Sequence, residues 1–312
     1  FAGEGAGSLF ARVTEVRVED DATDDDLLWL ADLPDIETLD LQSTSITDAG
    51  LTHLAHLRKL KSLTVRHSAI SDAGLDQVAE LVTLRHLALP CTMDRGLEKI
   101  SRLKHLEELW LDNANVTDAG LEHLSGLEAL RYLSLSRAAI NGSGLRHLRL
   151  LKQLRQLSLD GTKVTDDNLM HVSGLSNLYV LSLDRTGVTD AGLAHLASLT
   201  GIDSLSLSCT AVTGGELAQL VTLTDLNTLY LGLTAVDDAG LEQMARLTSL
   251  KHVDLHGSKI SDQGLAHLSS LTRLQYLDVS RTRVTLQGID RLKAALADVP
   301  DREQVGELRT NP

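Results

Sequence analysis

Apolar residues recur along this chain in two alternating rhythms. A triplet of apolar, polar, apolar comes first, as in Leu39-Asp40-Leu41, and a β-branched residue follows, as at Ile46. Leucines at spacings of three, Leu51, Leu54, Leu57 and Leu60, then lead into the next triplet. Alternation predicts a short strand with one buried face, and the wider spacing predicts one face of a helix. The second apolar residue of each triplet sets a frame: Leu41, Val65, Leu89, Leu111, Leu135, Leu159, Leu183, Leu207, Leu231, Leu255 and Val279. Successive differences are 24, except 22 between Leu89 and Leu111. A fixed period of this size is the mark of a solenoid, in which each unit buries its apolar face only against its neighbours.

Twelve strands are predicted, near 16–18, 39–41, 63–65, 87–89, 109–111, 133–135, 157–159, 181–183, 205–207, 229–231, 253–255 and 277–279. Strand–helix units running in one sense cannot pair as hairpins. They stack as a parallel sheet, and the expected fold is an α/β right-handed solenoid, an arc with strands on the concave face and helices on the convex face. Residues 1–11, rich in Gly and Ala at their start, read as a linker. The solenoid spans 12–297, with its first repeat and a last helix at 286–297 as caps, and 298–312 read as a polar tail that frays. The acidic run from Glu19 to Asp26 lacks the spacing of a calcium loop and reads as a solvated capping surface.

Between strand and helix one phrase returns. ThrAspAlaGlyLeu stands at 47–51, 117–121 and 189–193, with near copies beginning at Ser71, Asp237 and Ser261. Its first residue, Thr, Ser, Asn or Asp in these repeats, can accept from an orphan amide of the helix, and the Asp beside it suits the helix dipole. In the shortened repeat Asp94 is the expected cap. The glycine at Gly50, Gly74, Gly96, Gly120, Gly144, Gly192, Gly240, Gly264 and Gly288 is expected to let helix pack closely on strand; Asn168 and Glu216 break that column.

These repeats resemble the leucine-rich-repeat family over roughly residues 12–297, and are most similar to bacterial ThrAspAlaGlyLeu-type repeats and, beyond them, to the repeats of F-box proteins (the ribonuclease-inhibitor-like superfamily). The chain departs from the family where Asn commonly follows the second strand leucine by three: here stand Thr44, Ser68, Thr92, Ala114, Ala138, Thr162, Thr186, Thr210, Thr234, Ser258 and Thr282. A hydroxyl can bond backbone there, but less completely than an amide. The lead-in Leu9-Phe10-Ala11-Arg12-Val13 resembles members tethered to a membrane by a preceding segment, which implies an extracytoplasmic location.

Aromatic residues are only 3% of the chain against 43% apolar, so the core is aliphatic. A net charge of −14 argues against nucleic acid or an anionic membrane as partner. Cys91 and Cys209 occupy one frame position five repeats apart, about 24 Å at strand spacing. A disulfide needs Cα atoms within about 7 Å, so they are expected to be unpaired within one chain.

Function is expected on the concave face, at positions flanking the buried strand leucines. Gln156, Ser158, Asp160, Val180, Ser182, Asp184, Ser204, Ser206 and Ser208 make a shallow floor of mostly small side chains. His86, Glu108, Trp110, Asp112 and Tyr132 stand to one side of it, and Tyr230, His252, Asp254, His256, Tyr276 and Asp278 to the other. Rigidly held exposed aromatics are typical binding anchors, and the carboxylates favour a basic or hydroxyl-rich partner, a protein or peptide.

Two other readings fit the same residues. His252, Asp254 and Asp278, beside Tyr276, could hold a metal or serve an enzyme, although His252 and His256 lie about 13 Å apart along a strand, too far to share one ion. The chain could also be a spacer without a specific ligand. The helix histidines His53, His123, His147, His171, His195 and His267 repeat a consensus position and predict no metal ladder. No nucleophile elbow, phosphate loop or zinc-protease pattern is present, so no catalysis and no cofactor are expected.

Overall fold

The computed structural model describes residues 13–18, 21–42, 44–65, 69–89, 92–297 and 308–309. The expected strands are present, each three residues long and beginning one residue before the predicted triplet: β1 Glu15–Arg17, β2 Thr38–Asp40, β3 Ser62–Thr64, β4 His86–Ala88, β5 Glu108–Trp110, β6 Tyr132–Ser134, β7 Gln156–Ser158, β8 Val180–Ser182, β9 Ser204–Ser206, β10 Thr228–Tyr230, β11 His252–Asp254 and β12 Tyr276–Asp278. All pair parallel with their chain neighbours in one open sheet, whose order follows the sequence. A thirteenth strand, β13 Leu308–Arg309, pairs parallel with β12 and lies inside the segment expected to fray. Each strand's central residue points into the core; Leu39, Leu63, Leu87, Leu109 and Leu133 have no solvent exposure. The linker 1–11, Arg12, Glu19, Asp20, Ser68, Cys91 and most of the tail lie outside the described residues. Among the described residues no helix is long and apolar enough to cross a membrane.

The opposite layer is less regular than the repeat suggests. Asp48–Leu51, Leu75–Ala79, Asp94–Ile100, Asp166–Leu169, Asp238–Met244, Asp262–Leu265 and Leu286–Ala297 are α-helical. Asp24–Asp32, Gly120–Leu124, Ser143–Leu150, Asp190–Leu196 and Leu217–Thr222 are 3₁₀. A 3₁₀ turn holds three residues, so leucines spaced by three fall on one line and all reach the core. Leu121, Leu124 and Leu127, for example, are fully buried.

The cap positions do more than start helices. The Thr47 hydroxyl accepts from the Ala49 amide, as expected of a cap, and it also donates to Asp24 Oδ2 of the preceding repeat at 2.6 Å while the Thr47 amide donates to Asp24 Oδ1 at 2.8 Å. The same two-point clasp joins Asp48 to Ser71, Asp94 to Thr117, Asp166 to Thr189, Asp238 to Ser261 and Asp262 to Thr285. Each Asp therefore ties its own helix to the next repeat's cap. The glycine column follows from this clasp, and close helix–strand packing is not its main cause. A Cβ at Gly50, Gly74 or Gly288 would fall 2.4, 2.3 or 2.2 Å from the Oδ1 of the preceding repeat's Asp.

The break at Asn168 obeys the same geometry. The preceding repeat carries Gly142 where others carry the Asp, and a Cβ on Gly142 would fall 2.5 Å from the Asn168 side-chain carbon. The bulk has changed sides of one gap. Asn168 Oδ1 then serves its own cap, accepting from the Thr165 amide at 2.9 Å and hydroxyl at 3.0 Å.

In the shortened repeat Asp94 is not the cap. Met93 holds that position, and Asp94 is the first helical residue. Met93 offers Asp72 its amide at 3.1 Å but has no hydroxyl to give. Asp72 Oδ2 is consequently buried without a hydrogen-bond partner. Met93 is 54% exposed, so replacing it loses little core. Met93→Thr restores the missing donor, and chemical denaturation should show a gain of about 0.5–1.5 kcal/mol; no gain would mean that Asp72 is already solvated.

The clasps also set the response to acid. The Thr285 hydroxyl and amide hold the Asp262 carboxyl below its ordinary value of 3.8. At Asp24 burial pushes upward, but hydrogen bonds from Thr47 and Gly50 together hold it low as well. A carboxylate whose pKa is lower in the folded state stabilises the fold above the unfolded value, and that contribution is lost as pH falls through the folded value. Thermal stability should therefore hold from neutral pH down to about 5 and fall below about 4, with Asp262→Asn flattening the acid limb of the profile.

Candidate functional site

Three residues per repeat look outward from the sheet: the first and third of each strand, and the one two positions beyond. The first column carries His86, Glu108, Tyr132, His252 and Tyr276. The second carries Trp110, Tyr230, Asp254 and Asp278, and the third carries Asp112, Asp160, Asp184 and His256. Every one of these is half-buried, except the exposed Tyr230. The next residue turns the chain through a left-handed conformation, with φ of 56–60° at Asn113, Arg137, Arg185, Cys209, Leu233 and Arg281. That turn aims an amide at the following repeat, as Arg137 N does to Asp160 O at 2.6 Å, and so fixes the third column as firmly as the strands fix the other two. Cys209, at the turn position after Ser208, is a free cysteine.

Strand register brings the predicted residues into two groups. At one end Glu108 lies between His86 and Tyr132 on neighbouring strands. The His86 Nδ1 is 3.0 Å from Glu108 Oε2, and the Trp110 and Tyr132 rings sit 5.1 Å apart at 42°. At the other end Tyr230, Asp254 and Asp278 form one row, as expected for the two carboxylates, and His252 and Tyr276 form the row beside it with rings 6.4 Å apart. His256 Nδ1 lies 2.9 Å from Asp254 Oδ1, and the His256 amide bonds the same oxygen. Gly232 makes this seat possible, because a Cβ there would fall 2.2 Å from the imidazole. The two groups do not touch. Four strand steps, about 19 Å, separate β6 from β10.

The floor between them is a hydrogen-bonded chain, which residue type alone does not reveal. The Ser134 hydroxyl donates to Asp112 and also meets Ser136; Ser136 meets Ser158 at 2.7 Å; Ser158 donates to Asp160 Oδ2 at 2.9 Å; Ser182 donates to Asp160 Oδ1 at 2.6 Å. Asp184 accepts from Ser206 and from the Ser208 amide. Burial pushes the Asp184 carboxyl above the ordinary range, and the nearby Asp160 charge adds to the rise; the bonds from Ser206 and Ser208 only partly offset it. Ser134 and Ser136 were the members that column reading missed; their signal was a small hydroxyl one strand from an Asp.

Elsewhere most of the described hydroxyls that replace the family Asn serve their own repeat, although the Ser258 hydroxyl is buried without a hydrogen-bond partner. Thr162, Thr186, Thr210 and Thr234 each donate to the carbonyl three residues back at 2.6 Å. Among the described residues no group of three or more His, Cys, Asp or Glu side chains is arranged to hold a metal ion. His256 is engaged with Asp254, and His252 lies against Tyr276.

The family model for the leucine rich repeat matches residues 33–55 and 246–269. An internalin (inlF) from Listeria monocytogenes shares the fold with a TM-score of 0.69 at 21% identity, over 96% of this chain and 86% of that one. A leucine-rich-repeat protein of Leptospira interrogans aligns with a TM-score of 0.60 at 15% identity, over 90% of this chain and 79% of that one. No curated protein matches the sequence. The matched segments 33–55 and 246–269 fall in the frame that the remaining repeats keep. The family-model matches, the shared fold and the common frame together support a leucine-rich-repeat protein.

Proposed function

We propose that this protein is a non-catalytic binding module that takes a protein or peptide partner on the strand face of its sheet. One observation carries the reading. Four of the chain's few large aromatic residues, Trp110, Tyr132, Tyr230 and Tyr276, stand at outward strand positions, where backbone pairing fixes them. Aromatics held rigidly at a surface bind at low entropic cost and are common hot spots. Asp112, Asp160, Asp184, Asp254 and Asp278 on the same face favour a basic or hydroxyl-rich partner, and binding should weaken with salt as the charges are screened.

The metal or enzyme reading at His252, Asp254 and Asp278 draws no support from the side-chain arrangement, and the spacer reading leaves the placement of the aromatics without a reason. The experiment is a pull-down with the chain as bait, followed by wall and helix variants against whatever partner is recovered. Trp110→Ala should weaken binding by more than about 1 kcal/mol, whereas His147→Ala and His171→Ala, on the helical side, should not change it. Loss confined to the helix variants would place the site on the wrong face.

A further inference from the structure

The two ends of the polar wall share one chemistry. At the β5–β6 end the Trp110 and Tyr132 rings are paired, and Asp112 follows Trp110 by two residues on the same outward face. Ser134 lies in register with Trp110 and donates to that carboxylate, which draws it toward β6, the strand that carries Tyr132. At the β11–β12 end the His252 and Tyr276 rings, tilted by 34°, stand beside Asp254 and Asp278. A π face next to an ionised carboxylate suits a planar cation. The ring quadrupole attracts the charge, the flat guanidinium stacks, and the carboxylate accepts its forked N–H donors. An ammonium gains the charge attraction without the stacking.

The middle of the wall offers no third seat. Its carboxylates accept hydrogen bonds from the chain, Asp160 from Ser158, Ser182 and the Asp184 amide and Asp184 from Ser206 and Ser208, just as Asp112 does from Ser134 and Asp254 from His256. What the middle lacks is a ring, since its outward positions carry Gln156, Ser158, Val180, Ser182, Ser204 and Ser206 and no aromatic side chain. The Arg185 charge further offsets Asp184. What remains there is a shallow track lined by small hydroxyls.

We propose that the wall recognises an extended, arginine-bearing segment of a partner protein lying across the strands. One guanidinium sits at Trp110, Tyr132 and Asp112; a second sits at His252, Tyr276 and the Asp254–Asp278 row. This deepens the concave-wall reading and rests on it. Six strand steps separate β5 from β11, about 29 Å. An extended chain covers that distance in about nine residues, and small residues between the arginines fit the serine track.

Trp110 is one of two tryptophans, and the other, Trp29, lies on the helical segment Asp24–Asp32. In a Trp29→Phe background the fluorescence of the full chain therefore reports on Trp110. The titration uses three synthetic Ser/Gly peptides of equal length: two arginines about nine residues apart, two adjacent arginines, and two lysines about nine residues apart. The spaced-arginine peptide should bind at least about ten-fold tighter than the adjacent-arginine peptide and about three-fold tighter than the lysine peptide. Asp112→Asn, which keeps an oxygen for Ser134 but removes the charge, should weaken it about five-fold or more. Equal affinity for all three peptides, or binding of none, overturns the arginine assignment. In either case the concave-wall reading is judged separately: it stands if a recovered partner is lost with Trp110→Ala and falls if that partner is retained.

Discussion

Leu183→Ala should lower the unfolding free energy by about 2–5 kcal/mol, and Leu159→Ala should do the same. Both side chains are fully buried one residue beyond the neighbouring strands β7 and β8 in the middle of the array. Each repeat has no core of its own, so a cavity at Leu183 removes contacts from the repeats on either side as well as from its own. The surrounding leucines are held by strand register and by leucines at spacing three, which limits how far they can collapse into the gap. Urea denaturation followed by circular dichroism measures the loss. A broader transition, with a smaller dependence on denaturant, would show the array splitting at the lesion into separately unfolding halves. A loss below about 1 kcal/mol would mean that these leucines do not form the core.

The second large effect concerns the glycine column. At Gly264 a Cβ would lie 2.3 Å from Asp238 Oδ1 and 2.7 Å from the Asp238 Cα, so neither side chain nor backbone can easily give way. Asp238 is further tied down by its two bonds to Ser261. Gly264→Asn should therefore cost about 1–3 kcal/mol through overpacking. Asp238→Gly alone should cost about 1–2 kcal/mol by removing the clasp on Ser261. The chain already contains the swapped arrangement, with Gly142 opposite Asn168 and the Asn carbonyl serving Thr165. The double variant Asp238→Gly with Gly264→Asn recreates it, and Ser261 stands where Thr165 does. The two changes should compensate, leaving the double variant more stable than Gly264→Asn alone by about 1 kcal/mol or more. Strict additivity of the two losses would refute the size-exchange account of Asn168.

How much of this was legible beforehand follows from what a repeat encodes. The 24-residue frame placed every strand from β2 to β12, because register and the inward leucine are set by alternation within one repeat. It also placed the thirteen candidate wall residues on one face, and it put Trp110 beside Tyr132 and Asp254 beside Asp278, because neighbouring strands in a parallel sheet align frame position with frame position. The caps were legible as short polar residues ahead of an apolar run at Thr47, Thr165, Thr189, Asp237 and Ser261, whereas after Ser71, Thr117, Asn141 and Thr213 the helical segment begins one to three residues later, with Gly74, Ala119, Gly142 and Glu216 at its start. The 3₁₀ character of much of the opposite layer was implicit in leucines spaced by three.

What only the tertiary structure decided lies between repeats. The partner of each clasp Asp is 23 residues away, and nothing in its own repeat shows that its carboxylate reaches the next cap or that the glycine beyond exists to leave it room. The shortened repeat shifted the expected cap from Asp94 to Met93, because a missing residue pair changes which side chain arrives at the helix start, and Asp72 was left without its hydroxyl as a result. The serine–aspartate chain from Asp112 to Ser182 needs several strands at sheet spacing and the left-handed turns that aim the third column. A residue's column and face are local properties, written in the period. Which carboxylate meets which hydroxyl depends on the pitch of the stack, which no single repeat contains.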